Sequence, residues 1–473
     1  MAISLQNPHH QKIVLALVML GGMMAAIDTT IVILALPSII PSLHSNLSTA
    51  IWVILAYILV LAIFTTQLGK LGDLYGRAKI FNFGMLIFGI SSLFCGLAFN
   101  DIMLIISRVV QAVGGAMMQA TSSAIVADTF PKEKLGGTFG IITVGFTVGA
   151  ILGVVLGGAI TTFFGWPFIF LINVPIGIVG FALGMKYLRD ARIHEGKIEF
   201  KGMALLAVLL FLLSFGAINI AAEGFAPLEL GMLVAGFALV PVYLYMEKKS
   251  KNPTIDMKLF KNRMLSHSLL ANFFQSLGFL AVFFILIMYL QGVRGLSPLD
   301  SSVFLIPGFA MSAILAPFTG RLADKHGARV MATLGIALMC VSILIYLNIQ
   351  ADTPLYWILI GSGITGVGGS MFWPANNTAI MKASKEYAYG VISGVSRTLT
   401  NIGMLLSYTI ALAAAGAFIP RALALQLFVG TIGPGKISAA FVTGVHASMA
   451  ISLILLIIAG IFSAMRGKGG EAE

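Results

Sequence analysis

Charge is scarce in this 473-residue chain. Charged residues make up 10% of it and hydrophobic residues 58%, and its mean hydropathy is +0.98. Soluble domains have an apolar content of about 45–50%, so this composition excludes an ordinary soluble globular protein. The chain has two cysteines, Cys95 and Cys340, and each lies within an apolar run. This placement argues against a disulfide framework and against a cysteine metal site.

Motifs for catalysis and cofactor binding are also missing. The sequence contains no visible nucleophile–base pair, phosphate-binding loop or metal-ligand cluster. We therefore expect no enzymatic activity, no cofactor and no metal site. The formal net charge of +11 could indicate a nucleic-acid partner. The basic residues are instead spread over separate short loops, which argues against nucleic acid.

Long apolar runs are what the chain has in abundance. A helix of about 20 residues crosses roughly 30 Å of hydrocarbon. Runs of this length recur along the whole sequence and predict an all-α polytopic membrane protein. We predict fourteen transmembrane spans, at residues 13–36, 50–68, 80–99, 102–127, 135–163, 166–185, 203–222, 226–246, 265–290, 301–319, 329–349, 354–378, 387–418 and 437–465.

The basic residues indicate the orientation of these spans. When the N-terminus is placed in the cytoplasm, most of the 29 lysines and arginines fall in cytoplasmic loops. Only Arg294, Arg421 and Lys436 fall in outer loops. The positive-inside rule therefore predicts cytoplasmic N- and C-termini and an even number of spans. We expect a multi-pass protein of the cell (cytoplasmic) membrane.

A short loop motif occurs twice, at Gly69–Arg77 between spans 2 and 3 and at Gly320–Arg329 between spans 10 and 11. Both copies read G-[KR]-L-x-D-x-x-G, followed by an arginine after at most one further residue. Two more spans separate the copies than a plain six-plus-six duplication needs. We therefore predict a six-helix bundle at residues 1–200, an inserted helix pair at 201–250 and a second six-helix bundle at 251–473.

One carboxylate, Asp28, interrupts the apolar first span. An ionised aspartate at the centre of a bilayer costs at least about 2.5 kcal/mol, so such residues usually face a partner or a watery cavity. Helical rise places Asp28 roughly 12 Å and Arg108 of span 4 roughly 9 Å below the outer boundary. The two charges could therefore meet. Alternatively, Asp28 hydrogen-bonds threonine or backbone groups of a neighbouring helix, and Arg108 snorkels to the outer interface.

These features resemble the major facilitator superfamily and, within it, the 14-helix drug:proton antiporters. The resemblance implies two six-helix bundles plus two additional helices, which transport a substrate by alternating access as a monomer. It covers most of the chain and rests on the repeated loop motif and on Ala26–Pro37, Arg108–Gly115, the glycines of span 5, Trp166–Gly177 and Tyr289–Leu299.

The resemblance also implies roles for single residues. Asp28 and Arg108 would couple transport to protons. In the first loop motif, Asp73 would cap the next helix and pair with Arg77 or with another basic group. The motif residues that would form a conformational gate are Gly69, Asp73, Gly76, Arg77, Asp324 and Arg329.

Span 5 resembles the antiporter motif of the family. Its glycines would allow helices of the two halves to approach closely. Val154 stands where the family usually has proline, so the span should be less kinked here. The motif glycines are Gly149, Gly153, Gly157 and Gly158.

A substrate cavity is expected between spans 1 and 4 and their second-half counterparts, spans 9 and 12. Aromatic faces with a few amides suit a flat, lipophilic and often cationic molecule. Alternatively, these side chains face lipid or pack between helices. Span 13 carries Arg397 instead of an acid, which predicts a narrow range of cationic drugs. The candidate cavity residues are Gln111, Phe274, Gln275, Trp373, Asn376 and Asn377.

We therefore predict a proton-coupled antiporter that exports lipophilic or cationic compounds. Its partners would be a small-molecule substrate, protons and the lipid bilayer. One alternative is a dedicated exporter or importer of a single metabolite or lipid on the same fold. A further alternative is a non-transporting membrane sensor.

Overall fold

The computed structural model describes residues 8–45, 47–190, 200–223, 226–251, 253, 255–296, 298–416 and 440–467. This part of the chain contains sixteen α-helices. Within it, ten helical stretches are long and apolar enough to cross a membrane by length and composition. The prediction of an all-α polytopic membrane protein is confirmed. Arg421 and Lys436, which were assigned to an outer loop, lie outside the described residues.

Seven helices correspond to the first six predicted spans. Asn100 begins the fourth helix by accepting a hydrogen bond from the backbone N–H of Met103, and Pro167 occupies the first turn of the sixth. The helices are α1 Pro8–Ser42, α2 Leu47–Tyr75, α3 Arg77–Gly96, α4 Asp101–Thr129, α5 Leu135–Phe163, α6 Pro167–Leu171 and α7 Asn173–Tyr187. The short α6 and α7 together form span 6.

Nine helices correspond to the remaining eight spans. The short α11 and α12 form span 10, so the sixteen helices agree with fourteen predicted spans. The helices are α8 Phe200–Glu223, α9 Pro227–Lys249, α10 Arg263–Met288, α11 Pro298–Val303, α12 Ile306–His326, α13 Ala328–Tyr346, α14 Tyr356–Lys382, α15 Tyr389–Gly416 and α16 Ala440–Met465.

Helix packing divides into two groups. In the first group, α1 packs against α5, and α4 packs against α2 and α3. In the second, α10 packs against α15 and α16, and α14 packs against α12 and α13. Helix α8 packs against its partner α9 and also contacts α2 and α15, so it lies along the line where the two groups meet.

The two groups are joined by α2 packing against α15 and by α5 packing against α12. Glycines make these contacts close. Gly69 faces the backbone of Gly390, and Gly136 faces the backbone of Gly320, with no space for a Cβ atom at either glycine. All four residues lie at the ends of helices that the sequence places in the cytoplasm.

Close backbone contact also occurs inside the first group, where α3 crosses α7. A Cβ atom on Gly177 would lie 2.9 Å from the Cα atom of Gly89 and 2.9 Å from the carbonyl oxygen of Met85. We expect Gly177→Ala to lower the unfolding free energy by about 1–3 kcal/mol, because overpacking forces the backbones apart. The measurement is the Tm of the purified protein in detergent.

Gly363→Ala in α14 is the matched control, because no atom lies within 4 Å of its Cβ position. Alanine has the higher helix propensity, so this variant should keep or raise the Tm. Equal Tm values for the two variants would contradict the proposed close packing of α3 and α7.

Candidate functional site

Asp28 and Arg108 form an ion pair inside the first group of helices. The Nη1 atom of Arg108 lies 2.5 Å from Oδ2 of Asp28, and both side chains are buried. Thr29 and Thr30 instead donate hydrogen bonds to backbone carbonyls of α1 itself. The contact expected from the depth of the two charges is therefore present, and Arg108 does not snorkel.

Gln111, one turn after Arg108 on α4, completes this pair. Its Oε1 accepts a hydrogen bond from Arg108 Nη1 at 2.6 Å, and its Nε2 donates to Asp28 Oδ1 at 3.0 Å and to Ser92 Oγ at 2.6 Å. Gln111 was expected to line the substrate cavity. Its amide is instead fully engaged in what we term the Asp28 cluster, formed by Asp28, Ser92, Arg108 and Gln111.

The guanidinium of Arg108 has further partners that do not depend on Asp28. Its Nε donates to the carbonyl oxygen of Val53 at 3.0 Å, and its Cζ lies 4.2 Å from the ring centroid of Tyr57. A cation over a buried aromatic face gains electrostatic stabilisation. Asp28, in contrast, is held by Arg108 and Gln111. The sequence analysis missed Tyr57 and Ser92, because only the packing of α2 and α3 against α4 brings them here.

The glycines of α5 lie beside the Asp28 segment of α1. A Cβ atom on Gly149 would lie 2.8 Å from the carbonyl oxygen of Met23, and one on Gly153 would lie 2.9 Å from that of Ile27. The prediction that these glycines bring helices of the two halves together is wrong for Gly149 and Gly153, because α1 belongs to the same group as α5. Gly157 and Gly158 follow on the same helix, which continues through Val154 without a break.

The N-terminal half of α5 does contact the other half of the protein. Gly136 faces Gly320, and Gly140 faces the backbone of Ala316 in α12. Helix α5 therefore has two glycine contacts along its length, an N-terminal one against α12 and a C-terminal one against α1. It joins the segment that carries Asp28 to the second group of helices.

The first loop motif holds two halves of the chain together. Asp73 is buried, and its carboxylate accepts hydrogen bonds from the backbone N–H groups of Gly390 and Val391, both at 2.8 Å. Its Oδ1 also lies 2.6 Å from Arg77 Nη2. The predicted pair with Arg77 is confirmed. The prediction that Asp73 caps the next helix is wrong, because the capped helix is α15.

Two acidic residues near this motif were missed. Asp128 Oδ2 lies 2.6 Å from Arg77 Nη1, so the arginine bridges two carboxylates. Asp190, beyond the end of α7, accepts a hydrogen bond at 2.7 Å from the N–H of Ala78 and thereby caps α3. Burial raises the pKa of Asp190, opposed by this hydrogen bond and by the charge of Lys79. Both acids are far from the motif in the sequence, so no spacing along the chain could have predicted these contacts.

The second loop motif repeats this arrangement with other partners. Asp324 accepts hydrogen bonds from the N–H groups of Gly136 at 3.0 Å and Gly137 at 2.9 Å, at the start of α5. Its ion-pair partner is Lys382, at 3.4 Å, and not Arg329, which is exposed. Each aspartate thus caps a helix of the opposite half. Gly76 of the first motif has a φ of +112° and forms the turn between α2 and α3.

The other expected cavity residues lie on α10 and α14 of the second group. Asn376 donates to the carbonyl oxygen of Ser268 at 3.3 Å, and Gln275 Nε2 lies 3.6 Å from Met339 Sδ. The ring of Phe274 stacks on Phe462 of α16. Trp373 packs beside Phe372, and Asn377 is partly exposed. That these residues line one substrate cavity stays a prediction.

Residues 18–408 match the Major Facilitator Superfamily. The chain belongs to this superfamily. It is 32% identical to the riboflavin transporter RibZ of Clostridioides difficile over 83% of this chain and 86% of that protein. It is 30% identical to the tetracenomycin C resistance and export protein of Streptomyces glaucescens over 82% of this chain and 72% of that protein.

A solved structure shows the same fold. The superfamily's proton:xylose symporter XylE covers 96% of this chain and 95% of its own chain, with a TM-score of 0.66 and 13% sequence identity. The resemblance to this superfamily's drug exporters is confirmed, and the protein is a multi-pass membrane transporter of this fold.

Without the Asp73 charge, the end of α2 and the start of α15 should separate more readily. Charge-assisted hydrogen bonds contribute about 1.5–3 kcal/mol, so we expect Asp73→Asn to raise the population with separated ends roughly tenfold or more. The measurement is the distance distribution between spin labels on Lys70→Cys and Lys385→Cys. The background carries Cys95→Ser and Cys340→Ser.

Asp324→Asn should act in the same direction, because Asp324 holds the second contact between the halves. Asp101→Asn, at the outer end of α4, is the matched control and should leave the distances unchanged. Unchanged distances in both motif variants would contradict a gating role for the two aspartates.

Proposed function

We propose that this transporter is a proton-coupled antiporter that exports lipophilic small molecules by alternating access. The observation that carries the proposal is the buried Asp28–Arg108 pair, completed by Gln111. A paired carboxylate inside a membrane bundle is expensive and typically marks an ion or proton pathway. In this proposal Asp28 takes a proton from outside and releases it to the cytoplasm.

Protonation changes what holds α1 to α4. A neutral Asp28 no longer attracts Arg108, whereas Arg108 keeps the Val53 carbonyl and the Tyr57 ring as partners. The proton would therefore loosen α1 while leaving α2 and α4 together. A substrate that competes for the same polar groups would be released or admitted as the proton arrives.

The α5 glycines supply a contact route from this event to the other half. Gly149 and Gly153 touch α1 next to Asp28, and Gly136 and Gly140 touch α12. A shift of α1 would move α5 and disturb the hydrogen bonds of Asp324 at its first turn. Alternating access needs a structural element with two stable arrangements. We propose that the contacts of Asp73 and Asp324 between the halves are this element, formed in one state and broken in the other.

The proposal includes the arrangement in the membrane. Cytoplasmic termini in the cell membrane follow from the positive-inside distribution. Residues 1–200 and 251–473 would be the two rocking bundles, with 201–250 as the inserted pair. Support for the pair comes from α8, which contacts α2 and α15 of both bundles. We propose that one copy of the chain is sufficient for transport.

A second candidate is a transporter dedicated to a single metabolite. The relative RibZ, a riboflavin transporter at 32% identity, favours this possibility. Fold does not determine substrate, so both candidates use the same bundles and the same proton site. Resistance profiling against dyes and biocides separates them. A flat profile favours the single-metabolite transporter.

Replacement of the proton site should uncouple transport. Asparagine keeps the shape and an acceptor of Asp28 but cannot carry a proton. We expect Asp28→Asn to reduce pH-gradient-driven dye uptake at least about tenfold, the scale of one lost charge-assisted contact. The measurement is dye fluorescence in inverted membrane vesicles. Full gradient-driven uptake by this variant would show that the proton enters elsewhere.

Two controls separate coupling from folding. Removing one partner of a buried ion pair can cost about 3–5 kcal/mol, because the other charge stays unpaired. The double variant Asp28→Asn/Arg108→Gln removes both charges and should recover the Tm without recovering proton coupling. Asp101→Asn, an acid at the outer end of α4, should retain coupled uptake.

A further inference from the structure

Arg397 lies inside a predicted membrane span and has no partner among the residues that the structure describes. It lies eight residues into α15, about 12 Å from the start of the helix. Its side chain is partly exposed. Among the described residues, no hydrogen bond or ion pair includes Arg397, whereas Arg77 and Arg108 are both paired with aspartates.

The neighbours of Arg397 on α15 define its direction. Thr400 accepts a hydrogen bond from Asn272 of α10, and Asn401 donates to Gln119 of α4. At about 100° per residue, Arg397 lies about 60° from Thr400 and about 40° from Asn401 around the helix axis. It therefore projects between α10 of the second bundle and α4 of the first.

No acid on these helices is available to neutralise it. Helices α10 and α15 contain no aspartate or glutamate. On α4, Asp128 is paired with Arg77 at the inner end, and Asp101 lies at the outer end. On α1, Asp28 is paired with Arg108. Among the described residues of these four helices, therefore, no free acid compensates the positive charge of Arg397.

We infer that Arg397 binds an acidic group of the transported compound, so the substrates are lipophilic anions. A guanidinium matches carboxylate and phosphate oxygens through paired hydrogen bonds. An unpaired charge in a membrane span is costly, and an anionic ligand removes that cost. This inference rests on the proposed transport function. It replaces the expectation of cationic drugs, which an unpaired arginine repels.

The charge of the substrate determines how much net charge each transport cycle moves across the membrane. Exchange of one entering proton for one leaving monoanion moves two positive charge equivalents inward. Exchange of one proton for one monovalent cation moves none. Anion export by this protein is therefore driven by membrane potential as well as by the pH gradient.

Two dyes with the same xanthene ring system test the charge preference. Fluorescein is anionic at pH 8 and rhodamine 123 is cationic. The purified full-length protein should bind fluorescein about tenfold or more tightly than rhodamine 123, as measured by fluorescence anisotropy. Arg397→Gln should lose this preference, whereas Arg397→Lys keeps the charge and most of the preference.

Arg294→Gln is the matched control, because Arg294 lies at the outer surface and donates to the carbonyls of Ala351 and Thr353. It should bind both dyes as the unmodified protein does. All variants must elute as the unmodified protein does in size exclusion. Equal affinity for the two dyes, absence of fluorescein binding, or unchanged affinity in Arg397→Gln overturns the inference.

The same proteins in liposomes distinguish this inference from the proposed function. Asp28→Asn should lose proton-driven fluorescein movement, which tests antiport, whereas the binding preference is tested in the unmodified protein and in Arg397→Gln. Binding that depends on Arg397 without any proton-driven movement in the unmodified protein would refute antiport and leave the charge preference standing. Proton-driven transport that favours rhodamine 123 would refute the charge preference and leave antiport standing.

Discussion

A charge inside an apolar span is costly unless a partner neutralises it, and at the buried Asp28–Arg108 pair the protein itself supplies that partner. The pair forms only if α1 and α4 lie side by side at matching depth. The Tyr57 ring and the Val53 carbonyl cover the arginine, so α2 must also be in place. Gly149 and Gly153 then let α5 lie against the same stretch of α1. This part of the first bundle is thus organised around one ionic contact.

The contacts between the two bundles follow a different physical rule. The first N–H groups of a helix have no partner within the helix and carry partial positive charge. Asp73 and Asp324 each supply a carboxylate to such a helix end in the opposite bundle. The cations beside the two aspartates differ. Arg77 bridges Asp73 and Asp128, whereas Lys382 forms an ion pair with Asp324. The duplicated motif has therefore kept its function as a cap but not its ion pairs.

Much of this architecture follows from local patterns in the sequence. Apolar run length predicts the helices, and helical rise alone places Asp28 and Arg108 at similar depth. The position of Gln111, three residues after Arg108, would also have indicated its place in the cluster, because such residues share a helix face. The targets of Asp73 and of the α5 glycines could not be found this way. They depend on which helices become neighbours, and no spacing along the chain encodes that.

The capping of α15 by Asp73 has a consequence for how the protein is made. The aspartate and its backbone partner Gly390 are 317 residues apart in the sequence. At a synthesis rate of about 5–20 residues per second, Asp73 is complete about 15–60 s before its partner leaves the ribosome. During that interval the first bundle is in the membrane, and the Asp73 carboxylate lacks the helix end that it will cap. Assembly of the two bundles is therefore a late step, completed only when span 13 has been inserted.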